Sequence, residues 1–309
     1  MLDPQARALL DLMIERGVPP THTLPPAEAR RFYLERRFFS QPDPAEVAKV
    51  AALDADGVPL RLYRPRGSDA ATALPVLVYF HGGGWVIGDL DTHDSLCRQL
   101  CNASGCAIVA VDYRMGPEHR FPAAVDDCVQ ATRWVRAHAA ELALDAARFA
   151  VGGDSAGGNL AAVVCLALRE AKQPLPDFQL LLYPATDMRM AAPSHQTNGE
   201  GYLLTRDTVA YFRGHYIADP AQWTDWRASP LLAPDLRGLP PALVLTAGYD
   251  PLRDEGRQYA DALSTAGVPT QYVCFERQIH GFMPMGRVID EAHTAIDLCA
   301  AVLRRALRV

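Results

Sequence analysis

From residue 75 onward, short unbroken apolar runs recur at 76–80, 107–111, 149–151, 178–183, 242–246 and 272–275, each followed by a connection of helical length. A strand with one face in water alternates apolar and polar residues, so unbroken runs belong to strands covered on both faces. Helix-length returns between them make the pairing parallel. Ahead of these runs, Val58, Leu60 and Leu62 do alternate, just after the turn at 54–57, as an edge hairpin would. Two edge strands and six buried ones predict an α/β fold built on an eight-stranded, mostly parallel sheet flanked by helices.

Two stretches stand outside this rhythm. Residues 1–45 read as two amphipathic helices. Ala6, Leu9, Leu10, Met13 and Val18 approximate one face, Gly17 and Pro19-Pro20 stop the first helix, and Pro25-Pro26 opens the second. The aromatics of the second, Phe32, Tyr33, Phe38 and Phe39, are expected to pack, either in the core or along an apolar pocket. Between Pro184 and the run at 242 lies an insertion longer than a crossover helix needs, with Thr205 as an N-cap for a helix reaching about Ile217. Insertions of this length inside a compact domain are usually functional. The expected division is therefore an α/β domain at 46–185 and 231–309, with 1–45 and 186–230 forming a helical cap over the carboxyl edge of the sheet.

Composition narrows the function classes. Of 309 residues 49% are apolar and 21% charged, and the net charge is −6, so no basic stripe invites nucleic acid. Asp3, Asp11 and Glu15 interrupt the first twenty residues, which excludes a secretory apolar region there, and the longest apolar stretch, 160–168, is too short to span a bilayer. Seven cysteines, an odd number, argue against a disulfide framework. The expectation is a cytoplasmic protein with no membrane anchor, monomeric or a homodimer.

The run at 149–151 leads into Gly152-Gly153-Asp154-Ser155-Ala156-Gly157-Gly158-Asn159, after which 160–168 is apolar or small throughout. This puts Gly-x-Ser-x-Gly in a turn between a strand and a helix. Such a turn strains Ser155, and a Cβ at either flanking glycine would strike the neighbouring strand or helix. The hydroxyl is held out at the sheet edge beside the unpaired amides that open the helix. A serine needs a base and a group to orient it, and on this kind of sheet they follow in the order acid, then His. Asp250 stands at the end of the run 242–246, held extended by Pro251. Asp254 and Glu255 fit better in the first turn of the next helix, where the helix dipole favours negative charge. His280 follows the run at 272–275, whereas His293 falls in a helical pattern. Upstream, His81-Gly82-Gly83-Gly84-Trp85 follows the third strand, and its glycines free backbone amides for a developing oxyanion. Gly83, Gly84 and Ala156 are the expected donors. A dinucleotide-binding reading fails because the third glycine would fall at Ile87, and no Walker-type Gly-Lys-Ser/Thr occurs. His81, Asp89, Asp91, His93 and Asp94 match no metal-ligand spacing, and no metal or organic cofactor is expected.

HGGGW at 81–85, Asp112-Tyr113-Arg114 with Pro117-Glu118-His119 and Phe121-Pro122-Ala123, GDSAGGN at 153–159, DPLRDE at 250–255 and His280-Gly281-Phe282 together resemble the hormone-sensitive-lipase family, bacterial carboxylesterases of the α/β-hydrolase superfamily. Met115-Gly116 departs from the Leu-Ala usual there, away from the catalytic groups. The resemblance implies an α/β-hydrolase fold with a helical cap over the acyl pocket. It also implies a triad of Ser155, Asp250 and His280 and an oxyanion hole of Gly83, Gly84 and Ala156. The implied activity is hydrolysis of small carboxylic esters with short or medium acyl chains. Trp85, the N-terminal aromatics and residues near 203–215 would set the acyl length. An amidase, a lactonase or a thioesterase would use the same triad, whereas a non-catalytic small-molecule receptor would lack the His that stands here at 280.

Overall fold

Proline at the first helical position pre-sets φ and forfeits no needed donor. Both N-terminal helices begin so in the computed structural model, which describes residues 1–309: α1 (Pro4–Glu15), capped by the Asp3 carboxylate, and α2 (Pro26–Ser40). Strands β1 (Lys49–Asp54) and β2 (Pro59–Arg64) form the expected hairpin, its turn closed by the Gly57 amide donating to Asp54 at 2.7 Å. Then strands and helices alternate: β3 (Leu74–Phe80), α3 (Asp94–Ser104), β4 (Ala107–Val111), α4 (Ala123–Ala137), β5 (Leu144–Asp154), α5 (Ala156–Glu170) and β6 (Phe178–Leu182). The insertion carries the short α6 (Ser194–Thr197) and α7 (Arg206–Tyr216), capped by Thr205 as expected, before β7 (Ala242–Tyr249), α8 (Arg253–Thr265), β8 (Thr270–Ile279) and α9 (Glu291–Leu307).

The eight strands form one sheet in the order β1-β2-β4-β3-β5-β6-β7-β8, antiparallel at β1/β2 and β2/β4 and parallel elsewhere. Alternate residues of β3 divide between two apolar layers, Val76, Val78 and Phe80 facing one and Leu77 and Tyr79 the other. Helix α5 is buried from 156 to 168 except at Ala167, as its unbroken apolar run requires. Each of its Leu and Val side chains stabilises by about 1.5–3 kcal/mol through burial.

Two expectations need correction. Strand β8 is not covered on both faces; its run 272–275 is half-buried and Gln271, Glu276 and Arg277 are exposed, because it is the last strand in the order and has a neighbour on one side only. Nor do all four aromatics of α2 pack: Phe38 is 70% exposed and Phe39 43%, while Phe32 and Tyr33 are half-buried. No helix is long and apolar enough to cross a membrane.

The parallel strands all end on one edge, so the segments after β3, β5, β7 and β8 gather there although up to two hundred residues separate them. Helices α2 and α7 lie over this edge. Arg30 ties α2 down by donating to the carbonyls of Val86 (2.7 Å) and Gly116 (2.8 Å) and pairing with Glu118. Tyr211 on α7 donates to the Leu24 carbonyl ahead of α2 at 2.9 Å.

Candidate active site

Ser155 has φ 56° and ψ −116°, a conformation that L residues avoid and that persists only where surroundings impose it. Here they do. The Ser155 amide donates to the Leu182 carbonyl of β6 at 2.8 Å, and a Cβ added at Gly153 or Gly157 would collide with the Phe80 carbonyl of β3. The two glycines therefore let the turn press against the neighbouring strand, as the motif predicts.

His280 follows β8 and Asp250 follows β7, and the two meet Ser155 in a line. His280 Nδ1 lies 2.7 Å from Asp250 Oδ2, and His280 Nε2 lies 2.9 Å from Ser155 Oγ. An ionised carboxylate only accepts, so Nδ1 carries the hydrogen and Nε2 offers its lone pair to the serine hydroxyl. Asp250 is fully buried, and its other oxygen accepts the Leu252 amide at 2.8 Å. The Asn198 side chain, from the insertion, holds the carbonyls of Gly248 (3.1 Å) and Asp250 (3.2 Å). The competing acids are committed elsewhere. Asp254 pairs with Arg253 at 2.8 Å, and Glu255 lies buried against His195 at 2.6 Å while accepting the Thr186 and Asp187 amides. Burial raises the Glu255 carboxyl above its ordinary value, against the lowering effect of His195 and those amides.

Gly83 and Gly84 both take positive φ (120° and 60°), and neither amide donates within the protein. Ala156 opens α5, where the helix has no acceptor for its amide. Gly83, Gly84, Trp85, Ser155 and His280 border one pocket, with Ala156 and Asp250 buried behind it. Trp85 is turned inward: only 4% exposed, it stacks on Tyr216 of α7 at 4.8 Å.

A second network was not legible as such in the sequence. The Asp154 carboxylate accepts the Tyr79 hydroxyl (2.8 Å) and the Gly82 amide (3.0 Å), and its other oxygen lies 3.3 Å from His93 Nε2. This clamps the start of the glycine loop to the residue before Ser155. His93, which the sequence left among unassigned acids and histidines, serves here as a partner of Asp154. Burial alone would raise the Asp154 carboxyl, but His93 and the Tyr79 hydroxyl bring it below its ordinary value. Gly-Asp-Ser announces Asp154, but nothing local names partners 61 and 75 residues away.

His81 lies buried in the same network, stacked on Tyr113 at 4.4 Å, and its Nε2 has no partner. Burial, then the proximity of His93, pushes it down from the ordinary 6.5 to about 4. Between these two values the unfolded chain binds a proton that the folded one refuses, so stability falls as pH falls from 6.5 to about 4 and then levels off for this group. A gap of that size is worth about 3 kcal/mol. Urea unfolding of His81→Gln across this window should show a shallower acid limb than the unsubstituted chain. Identical limbs would mean that His81 carries no such penalty.

The chain matches a family described as alpha/beta hydrolase fold over residues 77–284. It is 39% identical to an ethyl acetate hydrolase of Pseudomonas putida, with 99% of each chain covered. It is 42% identical to the carboxylic ester hydrolase LipN of Mycobacterium tuberculosis, over 91% of this chain and 77% of that one. Among solved structures it is similar to an alpha/beta hydrolase enzyme from the metagenome of Lake Arreo, Spain, with a TM-score of 0.96, 47% identity and coverage of 100% of this chain and 99% of that one.

Proposed function

The chain belongs to the hormone-sensitive-lipase branch of the α/β-hydrolase family and is a carboxylic ester hydrolase, and from that premise we propose that Ser155 is its nucleophile, His280 its general base and acid, and Asp250 the acid that orients His280. What supports this most is the unbroken line Asp250–His280–Ser155, with contacts of 2.7 and 2.9 Å, ending at a pocket wall.

Ser155 Oγ attacks the ester carbonyl as its proton passes to His280 Nε2, and the imidazolium so formed is stabilised by Asp250. The carbonyl oxygen becomes an oxyanion held by the amides of Gly83, Gly84 and Ala156. The tetrahedral intermediate expels the alcohol, which leaves with the proton from Nε2, and an acyl-enzyme remains. Water then adds to the acyl carbon while His280 takes its proton, and the second intermediate returns that proton to Ser155 Oγ as the acid departs. Asp154, by accepting the Gly82 amide, positions the glycine loop.

In this reading residues 1–45 and 186–230 form a cap over a catalytic domain of 46–185 and 231–309, and Trp85 with α2 and α7 bounds the acyl pocket. Seven free cysteines, six of them buried, suit the reducing cytoplasm. Substrates are small esters of short or medium acyl chain. A p-nitrophenyl ester series from acetate to palmitate tests this: kcat/KM should peak at a short or medium chain and fall steeply towards palmitate. A maximum at palmitate would overturn the size assignment.

A further inference from the structure

The pocket holding Ser155 is bordered by three arginines that pair with no carboxylate: Arg36, Arg37 and Arg213. Arg37 donates to the Asp91 carbonyl at 2.8 Å, and its Nε has no partner. Arg213, on α7, donates to the Met188 carbonyl at 2.8 Å and lies over the Trp223 ring at 3.6 Å, with its Nε again unpartnered. The guanidinium of Arg36, on α2, makes no hydrogen bond or ion pair with the protein; its carbon stands 5.0 Å from the Tyr33 ring centroid. The three carboxylates in the same wall are all spoken for, Asp154 by Tyr79, Gly82 and His93, Asp187 by Arg189, and Glu255 by His195. None of these carboxylates is paired with Arg36, Arg37 or Arg213, so the wall presents three guanidinium groups without an ion-pair partner in the chain.

Arginine keeps its charge at any working pH, and a desolvated, unpaired guanidinium is costly to hold. Burial bears on Arg36 accordingly, pushing it below its ordinary value with only the Tyr33 phenol opposing. Arg36 also borders a neighbouring apolar recess beneath α1 and α2, lined by Leu10, Met13 and Phe32 among others. It thus stands where the Ser155 pocket meets that recess, within reach of a ligand occupying either.

Resting on the esterase reading above, we propose that the preferred substrates are esters carrying a free carboxylate, which Arg36 receives while the ester group lies at Ser155. A guanidinium presents a planar fork that matches a carboxylate in two parallel hydrogen bonds. Hydrolysis of such an ester releases an alcohol and a dicarboxylate when the anion is on the acyl side, or a hydroxy acid and the acyl group's own carboxylate when it is on the alcohol side.

The test compares matched pairs. Monoethyl esters of succinate, adipate and suberate are set against their diethyl esters for an acyl-side anion, and 6-acetoxyhexanoate against hexyl acetate for an alcohol-side one. At least one charged ester should rival or exceed its neutral partner in kcat/KM. In Arg36→Met, which keeps the apolar stem, the charged-to-neutral ratio for that pair should fall about 10- to 100-fold, chiefly through KM. Arg36→Lys should restore part of it. A ratio that Arg36→Met leaves unchanged overturns the proposal, and so does refusal of every charged ester by an enzyme that hydrolyses the neutral ones. Failure to hydrolyse any ester would instead overturn the esterase reading on which it rests.

Discussion

Ser155→Ala should abolish ester turnover, a loss of order 10⁶-fold in kcat by comparison with serine proteases stripped of their nucleophile. The effect is large because no other hydroxyl is in line with His280 Nε2, 2.9 Å from Ser155 Oγ. The fold should survive. The hydroxyl bonds to His280, while the strained turn is held by the backbone bond to Leu182 and by the close fit of Gly153 and Gly157 against Phe80, which alanine leaves intact. Circular dichroism and the unfolding midpoint should match those of the unsubstituted chain while p-nitrophenyl butyrate hydrolysis disappears. Near-normal turnover in a pure preparation would remove Ser155 from the mechanism.

Asp250→Asn should cost about 10⁴-fold in kcat with little change in fold. The substitution is nearly isosteric, and the Leu252 amide can still donate to the retained carbonyl oxygen. The amide NH₂ now facing Nδ1 is a donor, however. It draws the lone pair of His280 to Nδ1, leaves Nε2 carrying hydrogen, and so removes the base that Ser155 needs. It also removes the negative charge that stabilises the imidazolium. Asp254 and Glu255 cannot substitute, since one is tied to Arg253 and the other is buried against His195. A loss smaller than about tenfold would mean that another group orients His280, and the assignment of Asp250 would fall.

The same physics separates what was readable in the chain from what was not. Ser155, Asp250 and His280 each follow a strand on a parallel sheet, and strands of a buried parallel sheet announce themselves as unbroken apolar runs. Order along the chain then places their ends on one edge. The glycines around Ser155 were legible because a tight turn leaves no room for a Cβ, a local requirement. By contrast, the pairing of His93 with Asp154, and of His195 with Glu255, joins residues about sixty apart through packing, which leaves no periodic trace. Glu255 looked like an ordinary helix-opening acid, and it is one, but it also fastens the insertion beside Asp250. The aromatics of α2 misled for the opposite reason: a run of large apolar residues says that something should be covered, not which ring turns outward, and Phe38 does.

By itself, then, the order of residues determined the α/β sheet, the tight turn at Ser155, the succession of Ser155, Asp250 and His280 at strand ends, and the glycine loop, because each depends on spacing within one element or on which strand end carries it. Only the tertiary structure decided the clamp of Asp154 on the glycine loop, the inward turn of Trp85 onto Tyr216, and the unpaired guanidinium of Arg36 at the junction of two cavities. Those depend on how α2 and the insertion come down over the sheet edge. That docking is set by contacts such as Arg30 with Val86 and Gly116, between segments whose separation along the chain carries no record of their meeting.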